Sequence, residues 1–131
     1  MSTAPTVEVS WGELVDKLTI LEIKARRLSS PEAVANVRRE LAALNGVLAG
    51  LKPPEGFAAL KQDLTAVNES LWEIEDKIRA KEAASSFDRE FIDLARSVYF
   101  NNDKRADLKR AINLLLKSDL IEEKQYTAYK A

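Results

Sequence analysis

The sequence predicts an all-α protein, a helical bundle of about five helices built on a long antiparallel helical hairpin. Three observations predict it. Apolar residues recur at steps of three and four over most of the chain, the spacing of amphipathic helices. Chain breakers are scarce: four glycines and four prolines in 131 residues, two of the prolines adjacent. Helix start signals stand just ahead of the apolar stripes. One helical domain over 1–131 is expected, with an N-terminal arm at 1–9 and a frayed tail at 127–131.

Ser10, with Glu13 three residues later, reads as a capping box. The first helix is expected over 11–28, on a stripe of Trp11, Leu14, Val15, Leu18, Leu21, Ala25 and Leu28. Ile20 and Ile23 fall on a second face, which marks this helix as central. Ser30-Pro31-Glu32 starts the second helix with a cap, a proline at the first helical position and an acid in the first turn. Its stripe runs from Val34 to Leu51, and Lys52-Pro53-Pro54-Glu55-Gly56 breaks it.

The third helix is expected over 57–83. Phe57, Leu60, Leu64, Val67, Leu71, Ile74 and Ile78 form a heptad seam. With the second helix it reads as the long antiparallel hairpin, against which the others pack. Ser85-Ser86 stops the third helix and caps a fourth, expected to reach about Phe100. Asn101-Asn102-Asp103 reads as a turn that caps a fifth helix over 104–117. Ser118 is expected to cap a short final turn through Glu122 and Glu123.

Composition removes several kinds of chemistry. The chain has neither cysteine nor histidine. Disulfides, thiolate catalysis, histidine proton shuttles and Cys/His metal sites are therefore excluded within it. No cofactor is expected, and magnesium enters only together with an anionic ligand. Net charge is −1, which disfavours a nucleic-acid partner. No apolar stretch approaches the ~20 residues of a membrane span. The opening MSTAPTVEVS has no basic region followed by an apolar run, so no membrane is expected and the cytoplasm is the expected compartment.

Candidate site residues fall in two groups. Glu22 lies within the apolar stripe of the first helix, with Arg26 one turn on. A carboxylate there is costly to bury unless paired. It is either a structural ion-pair member, with Arg26 or an arginine of a neighbouring helix, or a ligand-facing acid. Asn68, Trp72, Glu75, Arg79 and Glu82 form a polar ridge beside the seam of the third helix, with Glu75 and Arg79 an i,i+4 ion pair. The second group lies between Arg96 and Lys117, which holds six Lys or Arg against two Asp. Lys104 and Arg105 are expected in the first turn of a helix, where an anion is favoured. Asn101, Asn102, Lys104, Arg105 and Lys109 are thus candidates for a phosphate- or carboxylate-binding patch, or else a solvated basic face. Two Glu-x-x-Asp pairs, Glu13/Asp16 and Glu73/Asp76, are expected to project outward.

The segments VSWGELVDKLTILEIKARRL, ANVRRELAAL, LWEIEDKIRAKE, ARSVYFNNDKRADLKRAIN and EEKQY resemble a family of small bacterial proteins known only as a domain of unknown function. The resemblance covers about 7–129. It implies a bacterial source and a compact helical domain, and it transfers no functional residue. Two functions are expected. The first is a non-enzymatic interaction or scaffolding module with a homodimer or protein partner. The second is a binding protein or enzyme for a small anionic ligand, phosphorylated or nucleotide-like.

Overall fold

The structure, a computed structural model, describes residues 3–129. It holds four helices: α1 (Trp11–Arg27), α2 (Pro31–Leu48), α3 (Phe57–Ala83) and α4 (Arg89–Leu115). There is no strand among the described residues. Residues 1–2 of the expected arm and 130–131 of the expected tail lie outside the described residues.

Local chemistry sets most of the ends. Ser10 Oγ accepts from Glu13 N at 3.0 Å, and Ser30 Oγ accepts from Ala33 N at 3.3 Å with Pro31 at the first helical position. α3 starts after Gly56, whose φ of 94° lies in the left-handed region that glycine enters without penalty. It ends at Ala83, and Ser85 just beyond is also left-handed, so that Ser86 N donates back to Lys81 O at 2.9 Å.

Four helices replace the expected five. Asn101-Asn102-Asp103 lies inside α4 and is not a turn. Asn101 Nδ2 donates to Ser97 O at 2.8 Å, so its amide is satisfied within the helix. The seam also keeps one heptad frame through this point: Phe91, Leu94 and Val98, then Leu108, Ile112 and Leu115, with Asn101 and Arg105 in the intervening positions. Packing along α3 overrides the local turn preference of asparagine. The cap of α4 is Asp88, not Ser85-Ser86: its Oδ1 accepts from Phe91 N at 3.0 Å. Lys81 and that N–H hold the Asp88 carboxyl below its ordinary value. Ser118 caps no helix. Its hydroxyl accepts from Trp11 N and donates to Leu120 O, anchoring a C-terminal segment over 118–129 that forms no helix or strand.

The long antiparallel hairpin is α3–α4, not the expected α2–α3. α2 packs on α1 along its length, and Leu48 at its end joins the core cluster to which Phe57 and Leu64 of α3 belong. The short Leu28–Ser30 link folds α2 straight back along α1, where Lys17 pairs with Glu40 at 2.8 Å. The proline-containing 49–56 segment instead separates α2 from α3.

α1 is the central helix and touches all three others. Leu14, Val15, Leu18, Leu21 and Ile23 are buried on it, and Val15 joins Phe57, Leu64 and Ile112 in the main core cluster. This core sits at one end of the α3–α4 hairpin. From 69 to 111 no residue is buried. The distal hairpin therefore projects as two helices with a half-covered seam.

Candidate functional site

Where α1 crosses the hairpin, a polar network runs through the packed interior. Gly12, Asp16 and Thr19 share one side of α1, at helical spacing. Asn68 of α3 donates through Nδ2 to Asp16 Oδ1 and to Thr19 Oγ1, both at 2.9 Å. Thr19 Oγ1 donates to the Asp16 carbonyl at 2.8 Å. From α4, Lys109 Nζ lies 2.7 Å from Glu13 Oε2 and 3.9 Å from Asp16 Oδ2. Each charge and amide in this interior finds a partner, as a low-dielectric setting requires. The ammonium of Lys109 lies between two carboxylates, closest to Glu13, and offsets part of their charge from within the protein. Among the described residues no three Asp or Glu gather as a metal-binding group.

The expectation that Glu13/Asp16 projects outward is thus corrected: Asp16 is buried and Glu13 is held by α4. α1 is enclosed on three sides, and a stripe of small and polar residues serves as one of its packing faces. Glycine at position 12 carries part of that signal in the sequence, since it permits close helix approach.

A cleft of about 930 Å³ lies between α4 and the C-terminal segment. The segment is pinned at its start: Ser10 Oγ donates to Glu122, and Asn113 Nδ2 donates to Glu122 Oε2 at 2.9 Å. Partial burial pushes the Glu122 carboxyl up. The hydrogen bonds from Ser10, from its own backbone and from Asn113, with the charge of Lys109, outweigh that and leave it below its ordinary value. Further along, Arg110 bonds Glu123 and Lys124 bonds Asp103. The Tyr129 ring meets Tyr99 and Phe100 edge-on at 5.1 and 5.2 Å. Its hydroxyl donates to Asp103, and that carboxylate pushes the phenol up to about 12. The segment Glu122–Tyr129 had no periodic signal in the sequence, because irregular chain held by single contacts leaves none.

The structure divides the expected site residues among separate places. Glu22 is half-buried and pairs with Lys61 at 3.5 Å, not with an arginine. Arg26 pairs with Glu69. Trp72 lies under the Arg27 guanidinium, 5.9 Å from its ring centre. Glu75 and Arg79 pair with each other at 3.6 Å on an exposed face. Asn101 is spent on Ser97 O. Lys104 lines a shallow depression with Asp63 and Leu108. Only Asn102, Arg105 and Lys109 share the cleft. Lys104 and Arg105 lie mid-helix, so no free helix N-terminus adds to their charge.

These features define a class: an all-helical bundle with a projecting two-helix hairpin and a C-terminal segment strapped along its second helix. Residues 5–130 match the description "Family of unknown function (DUF6165)", and the chain belongs to that family. No curated protein and no solved structure matches it. No described helix is long and apolar enough to cross a membrane.

Proposed function

We propose that this protein is a non-enzymatic interaction module that pairs with a second copy of itself through the distal half of the α3–α4 hairpin. The observation that supports this reading is the absence of any buried residue over 69–111, a stretch that carries the seam residues Leu71, Ile74, Ile78, Phe91, Leu94 and Val98. At the proximal end α1 covers the same seam, and Leu64 and Ile112 there are fully buried. Two heptad-patterned helices leave their seam open on the side where a third or fourth helix would lie.

A second hairpin laid across the distal seam would do there what α1 does proximally. An identical copy presents the same stripe, and a two-fold arrangement closes on itself. Phe87 and Ile92, 57% and 47% exposed, extend the apolar area at the tip. The flanking charges mix both signs, Glu75, Arg79 and Glu82 on α3 with Arg89, Asp93 and Arg96 on α4, so like charges do not dominate the approach. The bacterial source implied by the resemblance and a cytoplasmic setting remain parts of this proposal.

Sedimentation equilibrium on the wild type and Ile78→Glu tests the reading. The expected result is a wild-type dimer of twice 14.6 kDa and a monomeric, still helical variant. A wild type that stays monomeric at about 100 µM, far above the dissociation constant of a specific interface, overturns it. So does a variant that dimerises as the wild type does.

A further inference from the structure

We infer that the cleft between α4 and the C-terminal segment binds a small planar aromatic anion, a ring carrying a phosphate or carboxylate, with Arg105 gripping the anion and tyrosines flanking the ring. This site is built by one chain and does not depend on dimerisation. Its volume, about 930 Å³, falls within the usual range for small-molecule sites.

Charge pairing decides the class of ligand. Most ionised groups lining the cleft are compensated inside the protein: Arg110 by Glu123 at 3.2 Å, Lys124 by Asp103 at 2.9 Å, and Lys109 by Glu13 and Asp16. Glu122 is held by Ser10 and Asn113. Arg105 is a half-buried residue and differs: among the described residues no hydrogen bond or ion pair engages its guanidinium. Asp107, two residues on, also has no hydrogen bond or ion pair among the described residues, but it is exposed and shared with the shallow depression that Asp63 and Lys104 line. The lining carries four Lys or Arg against four Asp or Glu, and Arg105 is the cation among them with no ion pair among the described residues, so it is the group left to meet an anion. A guanidinium is a rigid donor fork that matches carboxylate and phosphate. Arg105 also occupies a heptad position of α4 where an apolar residue would serve packing better.

The remaining lining suits a ring. Tyr99, Tyr126 and Tyr129 all line the cleft, and Asn102 adds an amide that has no side-chain hydrogen bond among the described residues. Tyr126 is 78% exposed and is steadied by Lys124, whose ammonium lies 5.3 Å from its ring centre. Aromatic faces beside a guanidinium hold a flat anion by stacking and charge together.

Amide NMR titrations of the full chain test this with adenosine monophosphate and indole-3-acetate, against inorganic phosphate and adenosine as half-ligands. Saturable shifts are expected within 99–110 and 118–129 for at least one whole ligand, with each half-ligand about tenfold weaker or more. Arg105→Met should weaken binding about tenfold or more. Tyr126→Ala, a change at an exposed position that leaves the helices intact, should weaken it severalfold. No saturable shift with either whole ligand overturns the inference. Shifts elsewhere, equal binding of phosphate alone, or unchanged binding by both variants overturn it as well.

Discussion

Gly12 of α1 and Lys109 of α4 meet backbone to backbone: a Cβ built on Gly12 would overlap the Lys109 carbonyl oxygen and stand 2.9 Å from Asn113 Oδ1. The same Asn113 Oδ1 accepts from Gly12 N at 2.6 Å, so the contact also satisfies a helix-terminal N–H. Gly12→Ala should therefore destabilise by about 2 kcal/mol or more, the scale of overpacking in a close-packed interior. Thermal unfolding should record a fall of several degrees. A change smaller than about 0.5 kcal/mol, typical of open surface, would mean that the two helices do not cross this closely.

The costly acid of α1 is Asp16. Its side chain is 6% exposed, whereas that of Glu22 is 34% exposed. Asp16→Ala strips the Asn68 amide of one acceptor and Lys109 of one carboxylate, and should cost about 3 kcal/mol. Glu22→Ala breaks a 3.5 Å pair between two groups that each stay about one-third exposed, and should cost below ~1 kcal/mol. Urea titration of the two variants side by side checks the order. Equal losses would show that the polar network carries no special weight.

Acid should release the C-terminal segment before it unfolds the helices. Glu122 titrates below its ordinary 4.5 in the folded chain. A depressed carboxyl stabilises the folded arrangement above its unfolded value, and that contribution is lost as pH falls through the folded value. Hydrogen exchange over 118–129 should accelerate relative to α1–α4 as pH is lowered from 6 through 4.5 and below, after correction for intrinsic rates. Unchanged relative protection across that window would mean that Glu122 does not hold the segment.

Asn102→Pro separates a continuous α4 from two helices joined by a turn. Within a helix, proline removes a hydrogen bond and clashes with the preceding turn, at a cost of about 3 kcal/mol or more. A turn at 101–103 would accept proline with little loss. A large fall in melting temperature, followed by circular dichroism, is the expected outcome.

Helical class, the capped starts at Ser10 and Ser30, the length of α3 and the central place of α1 were legible in the sequence. Each follows from interactions within a few residues, or from an apolar stripe wide enough to mark two faces. The continuity of α4 was not, because Asn101-Asn102-Asp103 is a good turn locally and is made helical by a partner helix whose pairing the sequence does not state. The candidate site was legible in fragments. Arg105, Lys109 and Asn102 stood out as charge and amide in a basic stretch, but Tyr126 and Tyr129 reach them only through the folded-back tail. The sequence points Asp16 outward, and its burial was not legible because its partners, Asn68 and Lys109, lie 52 and 93 residues away in the chain.

The sequence by itself determined that this protein is helical and where three of its four helices begin, since caps, breakers and periodicity act over one or two turns. Only the tertiary structure decided that α3 pairs with α4 and not α2, that Asp16 and not Glu22 is the buried acid, and that Arg105 faces a cleft with no ion pair among the described residues. Those outcomes depend on which helix faces meet, and that choice is made by packing across the whole chain at once.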